Sequence, residues 1–345
     1  MCLPIIICTF AEYNEGFMDL SIIVPVYNVE KYIRPCIESI FKQSLNESRF
    51  EVIIVNDGTK DHSMEMIEDI IAQHNNITVI NQENLSLSVA RNNGIAAAKG
   101  EYILMPDSDD MLIDNSLPQL LEKAIESQVD IIVADFLVSS NSKKIENLIN
   151  IKQERFEFKE KTGEELFLED LNPNQCYVWR ALYRNKFIRK NQLSFVPDVY
   201  YQDVPFTHEA YLKANKCIKT TWKLNVYRRG RQGAATSSFN KKKALDFCTV
   251  IAKTWELRLL PNLTPKVLRK LNDDIYASFI ATIYASLHIF KDTSTLIEIL
   301  DNLKQKAPDL KFSHGIKQKT ETFLFRSMPY FYIILRKLHW KCIKH

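Results

Sequence analysis

Glycine is scarce in this chain, with 8 in 345 residues, and no segment is of low complexity. The stretch after the first apolar strand, Pro25-Val26-Tyr27-Asn28, carries neither a glycine-rich phosphate cradle nor a lysine-bearing signature, which argues against a nucleotidyltransferase. Cys-x-x-Cys pairs are also missing. The seven cysteines, at 2, 8, 36, 176, 217, 248 and 342, are odd in number and scattered, a pattern suited to a reducing cytosol rather than a disulfide framework. Long hydrophobic runs are absent too. Residues 3–10 are apolar but lack a charged start and a small-residue cleavage pattern, and they are too few to span a bilayer. With a formal charge of only +3 and no basic recognition motif, the chain has no signature of a nucleic-acid partner. One absence is local: from Thr322 onward there is no Asp or Glu, while Arg326, Arg336, Lys337, Lys341 and Lys344 stand there among aromatics.

Hydrophobic residues at 46% and charged residues at 25% are the proportions of an ordinary globular chain. Its length allows two domains, or one large domain with an appendage. Residues 20–26 form a β-branched run closed by Pro25 and Tyr27-Asn28, as a buried parallel strand is. Ile33, Ile37, Ile40 and Phe41 predict a helix within 30–42, and residues 51–55 predict a second strand running into Asn56-Asp57-Gly58-Thr59. Asp61 is placed to cap a helix reaching Ala72, and a third strand is predicted at 77–80. A helix carrying Ala90, Arg91 and Ile95, capped by Ser86 or Ser88, stops at Gly100 before a strand over 101–105. A helix over 116–127, a strand over 130–136 and a poorly patterned excursion over 137–165 follow. Past Trp179 the pattern predicts a helix over 204–213 and a flexible basic loop holding Arg228, Arg229 and Arg231. From about 237 it is helical, over 241–259, 265–290 and 293–307. This alternation predicts an α/β domain over 20–236, its Rossmann-like and mostly parallel sheet flanked by helices, then a helical C-terminal appendage over 237–345. Residues 1–19 read as an N-terminal extension, with 1–17 outside the fold.

The chemistry gathers at predicted strand ends, the edge where open α/β sheets bind ligands. Asp107-Ser108-Asp109-Asp110 concentrates carboxylates straight after a buried strand, which is costly unless a metal ion or cation neutralises them. A helix cap would explain one of these acids; Asp110 is the natural one. The others are hard oxygen donors of the kind that hold Mg²⁺ or Mn²⁺ beside a diphosphate. Asn56-Asp57-Gly58 alone is a turn, although an Asp there also accepts from a base N–H. Arg91 is read either as a solvated helix residue or as a partner for phosphate or base. Asp203 is either a cap or a general base, and Trp179 either core or a platform for a sugar ring.

In order, Ser21-Ile22-Ile23-Val24-Pro25-Val26-Tyr27-Asn28, Val55-Asn56-Asp57-Gly58-Thr59, Leu87-Ser88-Val89-Ala90-Arg91-Asn92, Asp107-Ser108-Asp109-Asp110 and Gln202-Asp203 resemble the family 2 glycosyltransferases of bacterial surface polysaccharide synthesis. The resemblance covers about 20–235. It implies a GT-A fold, a nucleotide-sugar donor of the UDP type, a divalent metal (Mn²⁺ or Mg²⁺) and inversion at the anomeric carbon. Carried onto this chain, it makes Pro25, Tyr27 and Asp57 nucleoside contacts and sets Arg91 by base or phosphates. Asp107 lies at the ribose or metal shell, Asp109 ligates the metal, and Arg229 and Arg231 face the diphosphate. Asp203 is the catalytic base, with Trp179 and Gln202 toward the acceptor. Asn56, Ser86, Ala181 and Gln202 depart from the family's usual Asp, Gly, Lys and Glu, and none of these removes a residue assigned to the chemistry. The expected acceptor is a saccharide or lipid-linked saccharide; the rival reading is a non-catalytic scaffold that keeps the fold. The basic aromatic tail, 323–345, is read as a core helix or as a peripheral contact with the inner face of the cell membrane, which would place the protein in the cytoplasm.

Overall fold

The computed structural model describes residues 18–173, 175–231 and 238–343. The extension over 1–17 and the 236/237 boundary lie outside the described residues.

The first half follows the predicted alternation: β1 (Leu20–Val26), α1 (Ile33–Phe41), β2 (Phe50–Asn56), α2 (Glu68–Gln73), β3 (Ile77–Asn81), α3 (Leu87–Ala97) and β4 (Tyr102–Leu104). β1 pairs in parallel with β2 and with β4, and β2 with β3. The chain therefore winds outward from β1 to β3 and returns on the other side of β1, leaving a crevice at the strand ends where the winding reverses. Register deepens that crevice. β4 matches β1 only from Leu20 to Ile22, whereas β1 continues against β2 to Val26. Pro25 thus occupies a central strand at a point where its neighbour on one side has already ended, and its missing N–H is tolerated there.

Next come β5 (Met111–Leu112), α4 (Leu117–Ser127), β6 (Ile131–Ser139), α5 (Ser142–Leu148), β7 (Phe158–Lys161), α6 (Gly163–Glu165), β8 (Ala181–Arg184), α7 (Asn185–Lys190), α8 (Asp203–Lys213) and β9 (Cys217–Arg228). The sheet order is β3-β2-β1-β4-β8-β6-β9-β5, with β7 on β9. Past β4 the pairing is mixed: β8 runs antiparallel to both β4 and β6, while β6 and β9 are parallel. Two expectations are corrected here. Arg228 closes a long strand instead of lying in a flexible loop; in β9 the buried Ile218, Thr220, Trp222, Leu224 and Val226 alternate with Lys219, Thr221 and Lys223, a strand period present in the sequence itself. Asp110 caps no helix, since β5 follows it directly.

The C-terminal helices are α9 (Lys241–Glu256), α10 (Pro265–Ile289), α11 (Thr293–Lys306), α12 (Gly315–Ser327) and α13 (Pro329–Ile343). Their starts have chemical causes. Asn240, Thr264 and Asp292 each accept a backbone N–H of the first turn, and Pro265 opens α10 where no N–H is needed. Alternation along the strands splits the core in two. Ile22, Val24 and Ile54 pack with Ile37 and Leu121 on one face of the sheet. On the other face Ile23, Ile53 and Val55 join a cluster that runs through Ile95 and Phe206 to Ile251, Phe279 and Ile333, so the C-terminal helices share the sheet's own core. No helix among the described residues is long and apolar enough to cross a membrane.

Candidate functional site

Helix α3 organises the crevice. Gly94 lies flat on β1, where a Cβ would come within 2.3 Å of Ile23 Cγ2, so the helix sits tight on the sheet. Asn92 exchanges two bonds with the backbone of Phe195, donating from Nδ2 (2.9 Å) and accepting at Oδ1 (2.8 Å). Asn93 donates to Gln82 Oε1 (2.6 Å), and Gln82 donates to Asp57 Oδ1 (2.7 Å). Asp57, only 3% exposed, also accepts the N–H groups of Leu85 (2.8 Å) and Ser86 (3.1 Å). It therefore builds the entry to α3 as well as standing at the end of β2.

Ser86 has φ +98 and ψ 157, a backbone region used almost only by glycine. This is the position where the resemblance puts Gly. The serine is held there by Asp57 and by its own Oγ, which accepts the Asp198 N–H (3.2 Å). Ser86 stands at the N-cap position of α3, one of the two expected, but its side chain makes no capping hydrogen bond.

Arg91 is the centre of the site. Its side chain is 1% exposed, and its two terminal nitrogens donate to Asp107 Oδ1 and Asp203 Oδ1, each at 2.7 Å. Neither a solvated helix residue nor an open donor contact, it joins two of the expected acids from within. Burial works against its charge, but Asp203 and Asp107 outweigh this and hold its pKa above the ordinary value. Burial raises Asp203, and Arg91 pulls it partly back. Asp203 opens α8 without capping it. Burial likewise pushes Asp107 up to about 7 against the pull of Arg91.

Asp107, Asp109 and Asp110 bring carboxylate oxygens within 4.8 Å of one another. Asp110 Oδ1 accepts the Arg228 N–H (2.7 Å), while its Oδ2 is buried without a donor among the described residues. Burial raises Asp110 strongly, with Asp109 and Asp107 adding to it. A compact set of hard oxygen donors with one unsatisfied buried acceptor fits a divalent cation. The end of β9 supplies the opposing charge. Arg231 pairs with Asp109, Arg228 Nε donates to the Asp109 carbonyl (3.0 Å), and both guanidiniums lie over the Tyr32 ring at 5.7 and 5.0 Å. Arg229 is exposed and lies over Tyr227. Tyr27 is exposed just past β1, and Pro25 is buried in it.

The acceptor candidates fare differently. Trp179 is 1% exposed, covered by a parallel stack with Tyr177 at 4.7 Å and by the edge of Phe136 at 5.0 Å. It is core, buried too deeply for a sugar platform; Tyr177 beside it is half-buried. Gln202 is also buried.

Several contributors were invisible beforehand. Asp246 on α9 accepts the Tyr200 N–H (3.2 Å) and pairs with Lys242 (3.0 Å), and Tyr201 packs on Phe247 with centroids 4.5 Å apart. The segment leading to Asp203 is thus strapped to the C-terminal helices, with Tyr201 at φ +62. A lone Asp in a helical pattern carries no mark of this, and Tyr32 gives none either.

The family profile described as Glycosyl transferase family 2 matches residues 21–190. Glycosyltransferase GlyG of Streptococcus pneumoniae is 30% identical over 264 residues, covering 72% of this chain and 84% of that protein. The uncharacterized glycosyltransferase EpsJ of Bacillus subtilis is 37% identical over 210 residues, 61% of this chain; the match spans only 60% of EpsJ's own length. Among solved structures, S. aureus TarS superposes with a TM-score of 0.71 at 19% identity, covering 94% of this chain and 91% of that one, and it has also been solved in complex with UDP-GlcNAc. Sheet, crevice and helical C-terminal region are those of a GT-A protein. The chain belongs to glycosyltransferase family 2.

Proposed function

We propose that this protein transfers a sugar from a nucleotide-sugar, of the UDP class, to a hydroxyl of a saccharide or lipid-linked saccharide in surface polysaccharide synthesis, with inversion at the anomeric carbon. The observation that carries this reading is the buried Arg91 bridge, which draws Asp107 and Asp203 from separate strand-end motifs into one site. The TarS complex with UDP-GlcNAc supports the donor class.

Pro25, Tyr27 and Asp57 line the nucleoside end at β1 and β2. Asp109 and Asp107, with Asp110 beside them, would hold Mn²⁺ or Mg²⁺. Such an ion, when bound, neutralises charge on a departing diphosphate. Arg231, with Arg228 next to it at Asp109, adds cations beside these acids, and the exposed Arg229 is assigned to the diphosphate as well. Asp203 accepts the proton of the acceptor hydroxyl as that oxygen attacks the anomeric carbon from the face opposite the diphosphate. Arg91 aims Asp203 and partly offsets the burial that raises its pKa.

Incubation with a panel of UDP-sugars and Mn²⁺, scored for release of sugar or UDP, tests the assignment. Turnover that collapses in Asp203→Asn while donor binding persists supports it. Binding with no turnover in the native chain would favour the scaffold reading instead, and full activity in Asp203→Asn would remove the base assignment.

A further inference from the structure

The last two helices carry a surface that the transfer chemistry leaves unused. On α13, Tyr332 and Ile333 are buried in the shared core, whereas Tyr330, Phe331, Ile334, Leu335 and Leu338 are 37–64% exposed. Residues 330, 334 and 338, with 331 and 335 one step round the helix, fall on a single stripe. Phe323 on α12 and Met328 between the helices are exposed as well.

The cations of this segment have two roles. Arg326 donates to the carbonyls of Leu310 (3.0 Å) and Pro308, and Lys337 donates to Lys291 O (3.1 Å) and Thr293 Oγ1 (2.9 Å), which pins the helices without cancelling charge. Arg336 pairs with the buried Glu321. Since no acid follows Glu321, the segment stays strongly positive even with that pair discounted, and Lys317 and Lys319 are exposed nearby on α12. A second copy covering the stripe would bring two acid-free segments together, and like charge opposes that. An anionic leaflet satisfies both features at once: apolar side chains enter the boundary below the headgroups while cations meet them.

We propose that α13 lies in the plane of an anionic lipid surface with its 330–338 stripe buried at the headgroup boundary. At 15 residues it lies on such a surface and does not span it. The assignment stands apart from the transfer reaction, and its test needs neither donor nor acceptor.

The full chain is sedimented with vesicles of phosphatidylcholine alone and of phosphatidylcholine mixed with phosphatidylglycerol. Binding to the mixed vesicles is expected, weakened as salt approaches about 1 M, where screening shortens to about 3 Å. Ile334→Glu with Leu338→Glu should weaken binding by about tenfold or more, the partition carried by one large apolar side chain. Phe331→Ser with Ile334→Ser is the companion variant should the charged pair fail to fold, with folding checked by circular dichroism. Failure to bind the mixed vesicles, equal binding to both compositions, or binding that neither pair of substitutions weakens would overturn the proposal. So would a dimer in light scattering that either variant pair converts to monomer, which assigns the stripe to a second copy.

Discussion

Arg91 Nη1 reaches Asp203 Oδ1 at 2.7 Å across 112 positions of sequence, and the same guanidinium holds Asp107 through Nη2. A planar fork holds the two acids in fixed directions, whereas an ammonium's donors turn freely on a flexible stem.

Arg91→Lys should therefore be far from conservative. Turnover is expected to fall by about 10²-fold or more through a misplaced base. Arg91→Ala leaves two carboxylates facing each other without their cation and should cost about 3–5 kcal/mol of stability. Steady-state kinetics with a UDP-sugar and chemical denaturation check the two effects separately; unchanged kcat in Arg91→Lys would dissolve the bridge's role.

The acid side of the pH profile follows from Asp203. Burial raises its pKa, and the base works only when ionised, so activity should disappear at a higher pH than an exposed aspartate would set. Removing Arg91 takes away the group that lowers it, so Arg91→Gln should move the acid limb higher still. A kcat-against-pH curve for both proteins decides this, and a shift in the opposite direction would contradict the assignment.

Ser86 offers a test of strain. Ser86→Gly relieves a glycine-type backbone worth about 1–3 kcal/mol and forfeits one hydrogen bond worth about 0.5–1.5 kcal/mol. The expected net is a gain in stability of about 1 kcal/mol, read as a higher Tm, with lower turnover because Asp198 is released. Ser86→Ala keeps the strain and loses the bond, so its Tm should fall.

Asp246→Asn probes the strap on the segment before Asp203. The amide still accepts the Tyr200 N–H through its oxygen but loses the Lys242 pair, so the effect should be small. Asp246→Ala leaves the Tyr200 N–H without its acceptor and should lower kcat with little change in donor Kd. Titration with UDP separates the two, and a loss confined to donor binding would place Asp246 elsewhere in function.

Much of the site was legible because its residues fall at strand ends, where period-two apolar runs give way to acids. Asp57, Asp107 and Asp109 follow the ends of β2 and β4 as read, and Asp203 is the first residue of α8, where the sequence put it one residue before the helix. The three long C-terminal helices after 240 were also placed within a few residues, since capping residues and apolar spacing agree there. What the sequence concealed depends on distant partners. Arg91 looks like any helix arginine until Asp203 folds back on it. Trp179 reads as core or as a platform until the stack of Tyr177 and the contact of Phe136 settle it as core. β9 is a different case: Ile218, Thr220, Trp222, Leu224 and Val226 alternate with Lys219, Thr221 and Lys223 at strand period, so its signal was present in the sequence, while its partners β5, β6 and β7 were not.

The apolar cluster that begins under β1 and ends in α13 has a practical consequence for anyone dividing this protein. A chain cut near residue 236 would uncover the side of α8 that packs on α9, and it would lose the anchor of the segment before Asp203. The change from alternating to helical pattern marks a shift of architecture and not a seam. Substitutions deep in α9 or α10 should accordingly be felt at Asp203, many residues away.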